Sequence, residues 1–177
     1  MSQSRTIVLG GARSGKSAFA EGLVNKLGKA KVYVATAQAF DTEMNDRIKS
    51  HQIRRDSSWT TVEAPLDIES ALRNVAPDTV VLLDCATLWL SNHLLAGSNL
   101  DIVCDQLVAA ISECIGAVVV VSNEVGFGIV PENAMARQFR DAQGKLNQQL
   151  AATSDLAVLV VAGLPVVLKG KLPQGPS

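Results

Sequence analysis

Aromatic side chains are scarce in this chain: Phe, Trp and Tyr together make up 4% of 177 residues. No basic strip interleaved with aromatics is present, and the formal net charge at neutral pH is −1. Both features argue against a nucleic-acid partner, and the charge gives no support for bulk attachment to a membrane. Cysteine is also sparse. Cys85, Cys104 and Cys114 are odd in number and lack C-x-x-C spacing. That argues against a disulfide framework or a zinc site and suits a reducing compartment. Long apolar runs are missing. The most apolar stretch, Leu156 to Leu168, is broken by Gly163 and Pro165 and is too short to cross a bilayer. Met1 to Arg5 is too short and polar to lead a signal peptide. The expectation is a soluble, cytoplasmic protein without stable membrane insertion. With 47% hydrophobic residues the chain can bury a full core, which favours one domain over residues 1–177.

What is present is concentrated near the start. Thr6 to Ser17 reads TIVLGGARSGKS, a short apolar run followed by the G-x-x-x-x-G-K-S pattern of a phosphate-binding loop. The residue types follow from the chemistry. Gly10, Gly11 and Gly15, with Ala12, Arg13 and Ser14 between, let backbone N–H groups turn inward around an anion. A helix starting near Lys16 adds the positive end of its dipole. Lys16 supplies a mobile charge for the β- and γ-phosphates, and the Ser17 hydroxyl can ligate Mg²⁺. The pattern predicts binding of a nucleoside triphosphate; the alternative is a glycine-rich turn that matches by chance.

Strand-like and helix-like segments alternate along the rest. Strands are expected at Thr6–Leu9, Lys31–Thr36, Trp59–Glu63, Asp78–Asp84, Ala117–Ser122 and Leu156–Ala162. Helices are expected at Ser17–Leu27, Thr42–Arg55, Leu66–Val75, Leu100–Ile115 and Pro131–Thr153. The last carries an apolar stripe, Met135, Phe139, Ala142, Leu146 and Leu150, with Pro131 expected in its first turn. Gly163-Leu-Pro165 can turn the sixth strand into a short antiparallel seventh, Val166–Lys169, before a Gly/Pro-rich tail at 170–177 expected to be flexible. The sum is an α/β three-layer domain with a mostly parallel sheet and an antiparallel C-terminal edge strand. In such sheets ligands sit at the carboxyl ends of the strands.

The polar residues at those ends are the candidates. Asp84 ends the apolar run VVLLD, where a carboxylate can organise Mg²⁺; it can equally be a strand-terminal turn residue. Ala35-Thr36-Ala37 follows the second strand and Glu63 closes the third. The Glu63 carboxylate can accept from the N1–H and N2–H₂ of guanine, or be a plain strand-end charge. Glu124 can bind metal, act as a base, cap the long helix or pair with an arginine. No N-K-x-D guanine motif is present, so base preference does not follow from pattern. There are two histidines. His51 lies in a basic cluster with Arg47, Lys49, Arg54 and Arg55. Positive neighbours keep an imidazole neutral and nucleophilic and also hold phosphate oxygens. The bland alternative is a solvated basic helix with an incidental histidine. His93, among apolar residues, reads as a packing histidine.

Taken in order, GGARSGKSAFAE, YVATAQAFDTEMNDRIKSHQIRR, WTTVEAP, LLDCATLWLSN and VSNEVGFGIVPENAMARQFRDAQGKLNQQLA resemble the bifunctional adenosylcobinamide kinase / adenosylcobinamide-phosphate guanylyltransferase family of cobalamin synthesis, from about Thr6 to Lys169. The R-I-x-x-H and N-E-V-G-x-G-I-V-P-E-N segments are the specific ones. The resemblance implies a RecA-like P-loop NTPase fold and a homotrimer. It also implies two reactions. An NTP phosphorylates the aminopropanol hydroxyl of adenosylcobinamide. GTP then donates GMP to that phosphate through a guanylyl-histidine, and the family's histidine falls on His51. Some members carry a second histidine just before it; here that place is Ser50. The family's nucleotide contacts fall on Gly10, Gly11, Ala12, Arg13, Ser14, Gly15, Lys16, Ser17, Ala35, Thr36, Ala37, Gln52, Ile53, Arg54, Arg55, Glu63 and Asp84. Ser17 and Asp84 are the expected Mg²⁺ ligands, GTP and ATP the nucleotide substrates, and a corrinoid the acceptor. A P-loop small-molecule kinase without guanylyl transfer is the alternative.

Overall fold

A computed structural model describes residues 4–27, 30–38 and 57–173. Seven strands form one sheet: β1 (Arg5–Gly10), β2 (Ala30–Ala35), β3 (Trp59–Glu63), β4 (Thr79–Asp84), β5 (Ala117–Asn123), β6 (Leu156–Val161) and β7 (Leu164–Lys169). The order is β3-β2-β4-β5-β1-β6-β7, parallel except for the β6–β7 hairpin. The helices among the described residues are α1 (Lys16–Leu27), α2 (Ile68–Arg73), α3 (Ala86–Leu95), α4 (Leu100–Glu113) and α5 (Ala134–Thr153).

The strands are where the apolar runs place them because both faces of the sheet are covered, so a central strand gains from burial on either side. β4 and β5 are buried over nearly their whole length. Alternate residues go to alternate layers. Val8, Leu82, Val119 and Val121 pack with Ala20, Leu23 and Val24 of α1. Ile7, Leu9, Val81, Leu83, Val118 and Val120 pack against the opposite layer, with residues of α2 to α5. Each such side chain contributes about 1.5–3 kcal/mol relative to exposure.

Five features differ from expectation, and three of them, the starts of α5, α2 and β7, have local causes. α5 begins at Ala134, not Pro131, because Asn133 caps it: its Oδ1 accepts from the backbone N–H of Met135 (2.8 Å) and Ala136 (3.2 Å). Its inner stripe also shifts. Met135 is exposed, whereas Gln143 and Asn147 are buried beside Leu146 and Leu150. α2 begins at Ile68 because the Asp67 carboxylate accepts from Ser70 N–H. α3 occupies Ala86–Leu95, a segment without an expected helix. The seventh strand starts at Leu164, two residues earlier than expected, since the turn is tight: Ala162 (φ 51°) and Gly163 (φ 80°) both adopt the left-handed conformation favoured in two-residue hairpins. The expected helix Thr42–Arg55 lies outside the described residues.

Candidate nucleotide site

The phosphate loop joins β1 to α1. Its first glycine is required by contact: a Cβ on Gly10 would collide with the Ser14 hydroxyl and with the Val160 carbonyl oxygen, at 2.7 Å. Gly15 is required by conformation, with φ +92°. The Lys16 ammonium, at the first position of α1, donates to the Gly11 carbonyl at 3.1 Å. It therefore lies back over the loop where a phosphate would be cradled. Gly163 in the β6–β7 turn donates its N–H to the Ser14 carbonyl at 2.8 Å, so the hairpin supports the loop from behind.

The carboxyl ends of β2, β3 and β4 lie beside one another. Register pairs Ala35 with both Glu63 and Asp84. Asp84 is half-buried and accepts from the Tyr33 hydroxyl through Oδ2, at 3.3 Å. Glu63 is exposed at the strand end. Thr36 is wholly buried: its hydroxyl accepts from Cys85 N–H and donates to Cys85 C=O, both at 2.8 Å. Its side chain thus locks β2 to the turn after β4, and the neighbouring Ala35 and Ala37 are the half-buried positions of that segment. Burial pushes the Cys85 thiol up to about 12, with the adjacent Asp84 carboxylate adding to the shift and Lys16 opposing it. A thiol held there is neutral and is no nucleophile.

Among the described residues, Glu124 neither caps α5 nor pairs with an arginine. Its Oε1 accepts from Gly126 N–H at 2.6 Å, and its own N–H bonds the Gly10 carbonyl at 3.1 Å. His93 packs edge-on against Trp89, with Nδ1 at 3.0 Å from Ser98 Oγ and Nε2 at 3.3 Å from the Leu66 carbonyl oxygen. Burial holds its pKa below the ordinary value, and the Leu66 carbonyl partly offsets this. The structure thus brings together Gly10 to Ser17, Ala35 to Ala37, Glu63 and Asp84 along one rim of the sheet. His51, Gln52, Ile53, Arg54 and Arg55 lie outside the described residues.

Residues absent from the expected set also shape this rim. Asn92 of α3 donates to the Thr36 and Pro65 carbonyls, both at 2.9 Å, and Trp89 Nε1 donates to Leu66 C=O at 2.8 Å. Together they tie the segment after Glu63 to the end of β2. Polar side chains on an otherwise apolar helix were the available signal.

Residues 6–168 match the sequence model of a family described as cobinamide kinase / cobinamide phosphate guanyltransferase. The chain belongs to this family. The bifunctional adenosylcobalamin biosynthesis protein CobP of Pseudomonas aeruginosa is 44% identical over 170 residues, covering 94% of this chain and 98% of the relative. The bifunctional adenosylcobalamin biosynthesis protein CobU of Salmonella typhimurium is 41% identical over 179 residues, covering 92% and 98%. Among solved structures, an ATPase from the type III secretion system of pathogenic bacteria aligns with a TM-score of 0.56 and 9% identity, over 93% of this chain and 57% of the other. Protein PH0250 from Pyrococcus horikoshii aligns with a TM-score of 0.53 and 11% identity, over 95% and 87%. At these identities the structural likeness concerns fold alone: a mostly parallel α/β sheet of the RecA-like P-loop NTPase type. A member of the cobinamide kinase / cobinamide phosphate guanyltransferase family is an enzyme, with kinase and guanylyltransferase as its two reaction types.

Proposed function

We propose that this enzyme phosphorylates the aminopropanol hydroxyl of adenosylcobinamide and then transfers GMP from GTP to the resulting phosphate. The phosphate loop within a chain of this family carries the reading: Lys16 at the helix start, Gly10 to Gly15 around it, and Asp84 on the same rim. In the kinase step the substrate oxygen bonds to the γ-phosphorus, the bond to the β–γ bridging oxygen breaks, and the nucleoside diphosphate leaves. In the second step an imidazole nitrogen of His51 attacks the α-phosphorus and pyrophosphate leaves. The cobinamide phosphate oxygen then takes the guanylyl group, which frees His51 and yields adenosyl-GDP-cobinamide. Arg54 and Arg55 would hold phosphate oxygens during this transfer, and Glu63 would read the guanine edge.

Ser17 and Asp84 suit Mg²⁺: a hydroxyl and a carboxylate are hard oxygen donors, and this ion uses few protein ligands together with substrate phosphates. When bound, it neutralises charge on the β- and γ-oxygens. We also propose a cytoplasmic homotrimer. The exposed apolar row on β7, Leu164, Val166, Val167 and Leu168, supports assembly. Among the described residues no helix is long and apolar enough to cross a membrane.

The deciding experiment incubates wild type and His51→Ala with Mg²⁺ and either α- or γ-labelled GTP. Acid-labile label from the α-phosphate alone, lost in His51→Ala, is the expected result. Full guanylyl transfer by the variant would remove His51 from the mechanism. Cobinamide phosphorylation without any protein-bound label would leave a kinase only.

A further inference from the structure

Asn123 closes β5, the strand inserted between β1, which leads into the phosphate loop, and β4, which ends in Asp84. Register pairs Gly10 with Asn123 and Asp84 with Val121. Asn123 therefore stands two residues, about 7 Å, beyond Asp84 along the sheet and level with the first residue of the loop. Alternation assigns its face. Val119 and Val121 pack in the α1 layer. Ser122 turns the other way, where its hydroxyl donates to Asn147 Oδ1 at 2.7 Å and accepts from Gln143 Nε2 at 3.0 Å. Asn123 shares the α1 face with Asp84, whose strand neighbours Val80 and Leu82 pack in the same layer. Lys16 and Ser17 open the helix on that face.

The backbone of Asn123 is held from behind. Thr87 Oγ1 accepts its N–H at 2.7 Å, and Asn147 Nδ2 donates to its C=O at 3.1 Å. Thr87 and Asn147 are both buried and come from different helices, α3 and α5. The side chain is not part of this scaffold. Among the described residues, its buried Oδ1 has no hydrogen-bond partner. The Ser14 hydroxyl, packed beside Gly10, is likewise buried and, among the described residues, unpartnered. A fixed backbone with an unpaired buried amide oxygen is an arrangement prepared for a ligand, because such an oxygen is costly to keep unpaired.

Resting on the kinase reading above, we propose that Asn123 orients the acceptor in the phosphorylation step. Its Oδ1 accepts the hydrogen of the attacking hydroxyl, and its Nδ2 donates to an oxygen of the transferring γ-phosphoryl group. The amide takes no proton: the oxygen–γ-phosphorus bond forms, the bond to the bridging oxygen breaks, and the hydroxyl proton leaves with phosphate or solvent. Guanylyl transfer occurs two phosphorus atoms away, at the α-phosphorus, and does not use it.

The test compares wild type, Asn123→Ala and the isosteric Asn123→Asp, using cobinamide with ATP or GTP for the kinase step and α-labelled GTP for protein guanylylation. Thermal melts are recorded for each. The expected result is a kcat for phosphorylation lower by about a hundredfold in both variants, as loss of an orienting contact produces, with KM for the nucleotide, guanylylation and melting temperature close to wild type. Unchanged phosphorylation kcat in the variants overturns the inference while leaving the kinase reading intact. Parallel loss of both activities and of melting temperature overturns it in favour of a purely structural role. A wild-type enzyme that phosphorylates no cobinamide overturns the kinase reading and this inference together.

Discussion

Three polar side chains on α3 and at the end of β2 define how the rim is held at the level of single residues. Thr36 bridges the N–H and C=O of Cys85, and Asn92 bridges the Thr36 and Pro65 carbonyls. His93 completes the set between Ser98 and Leu66. Its titration has a defined sign. Burial holds the folded pKa below the ordinary histidine value of about 6.5, so the unfolded chain takes up the proton first as pH falls. The stability tied to a neutral His93 is complete above the unfolded value and is lost as pH falls through the folded one. Melting temperature should therefore drop more steeply on acidification in wild type than in His93→Gln. Equal slopes would show that other groups dominate.

Among the elements, the β6–β7 hairpin is the one whose role reaches the site. Its turn donates from Gly163 to Ser14 in the phosphate loop, and a Cβ on Gly15 would sit 3.2 Å from Gly163 Cα. A Cβ on Gly163 itself meets open space, so substitution there acts through backbone conformation alone. At φ +80° a β-branched residue costs at least about 1–2 kcal/mol. Gly163→Val should weaken binding of a fluorescent GTP analogue by roughly five- to thirtyfold, whereas Gly163→Asn, which tolerates this conformation, should stay near wild type. Normal affinity in Gly163→Val with a lowered melting temperature would limit the turn to holding its own hairpin. This support was not legible in advance, since the turn and the loop are almost 150 residues apart and nothing local marks their contact. α3 was missed for a different reason. ATLWLSNHLL is short, apolar on most sides and capped by a cysteine sulfur, so it shows neither a clean amphipathic period nor a usual start signal.

For the whole molecule the uncovered feature is the edge formed by β7. All six of its residues are exposed, and Leu164 and Leu168 are more than half accessible. An apolar edge strand is a standing template for association unless something covers it. If this edge lies between copies, light scattering should give three times the 18.7 kDa chain mass. Val166→Asp with Leu168→Asp should then reduce that mass and leave a folded chain by circular dichroism. A single-chain mass for wild type at working concentration would remove the trimer from the proposal.

The amino-acid sequence by itself determined the phosphate loop, the alternation of strands and helices, the antiparallel end of the sheet and the family, because each is written in contiguous residues: glycine spacing, apolar period, turn chemistry and motif order. The buried amides of Gln143 and Asn147 fell outside that reading, since a stripe is recognised by its apolar members and the partners Ser122 and Asn123 belong to a different element, β5. Only the tertiary structure decided that β5 runs between β1 and β4. Strand order comes from long-range backbone hydrogen bonding and from which faces the helices cover, neither of which leaves a periodic trace along the chain. That order is what carries Asn123 to a position between Gly10 and Asp84 and sets Gly163 against the loop.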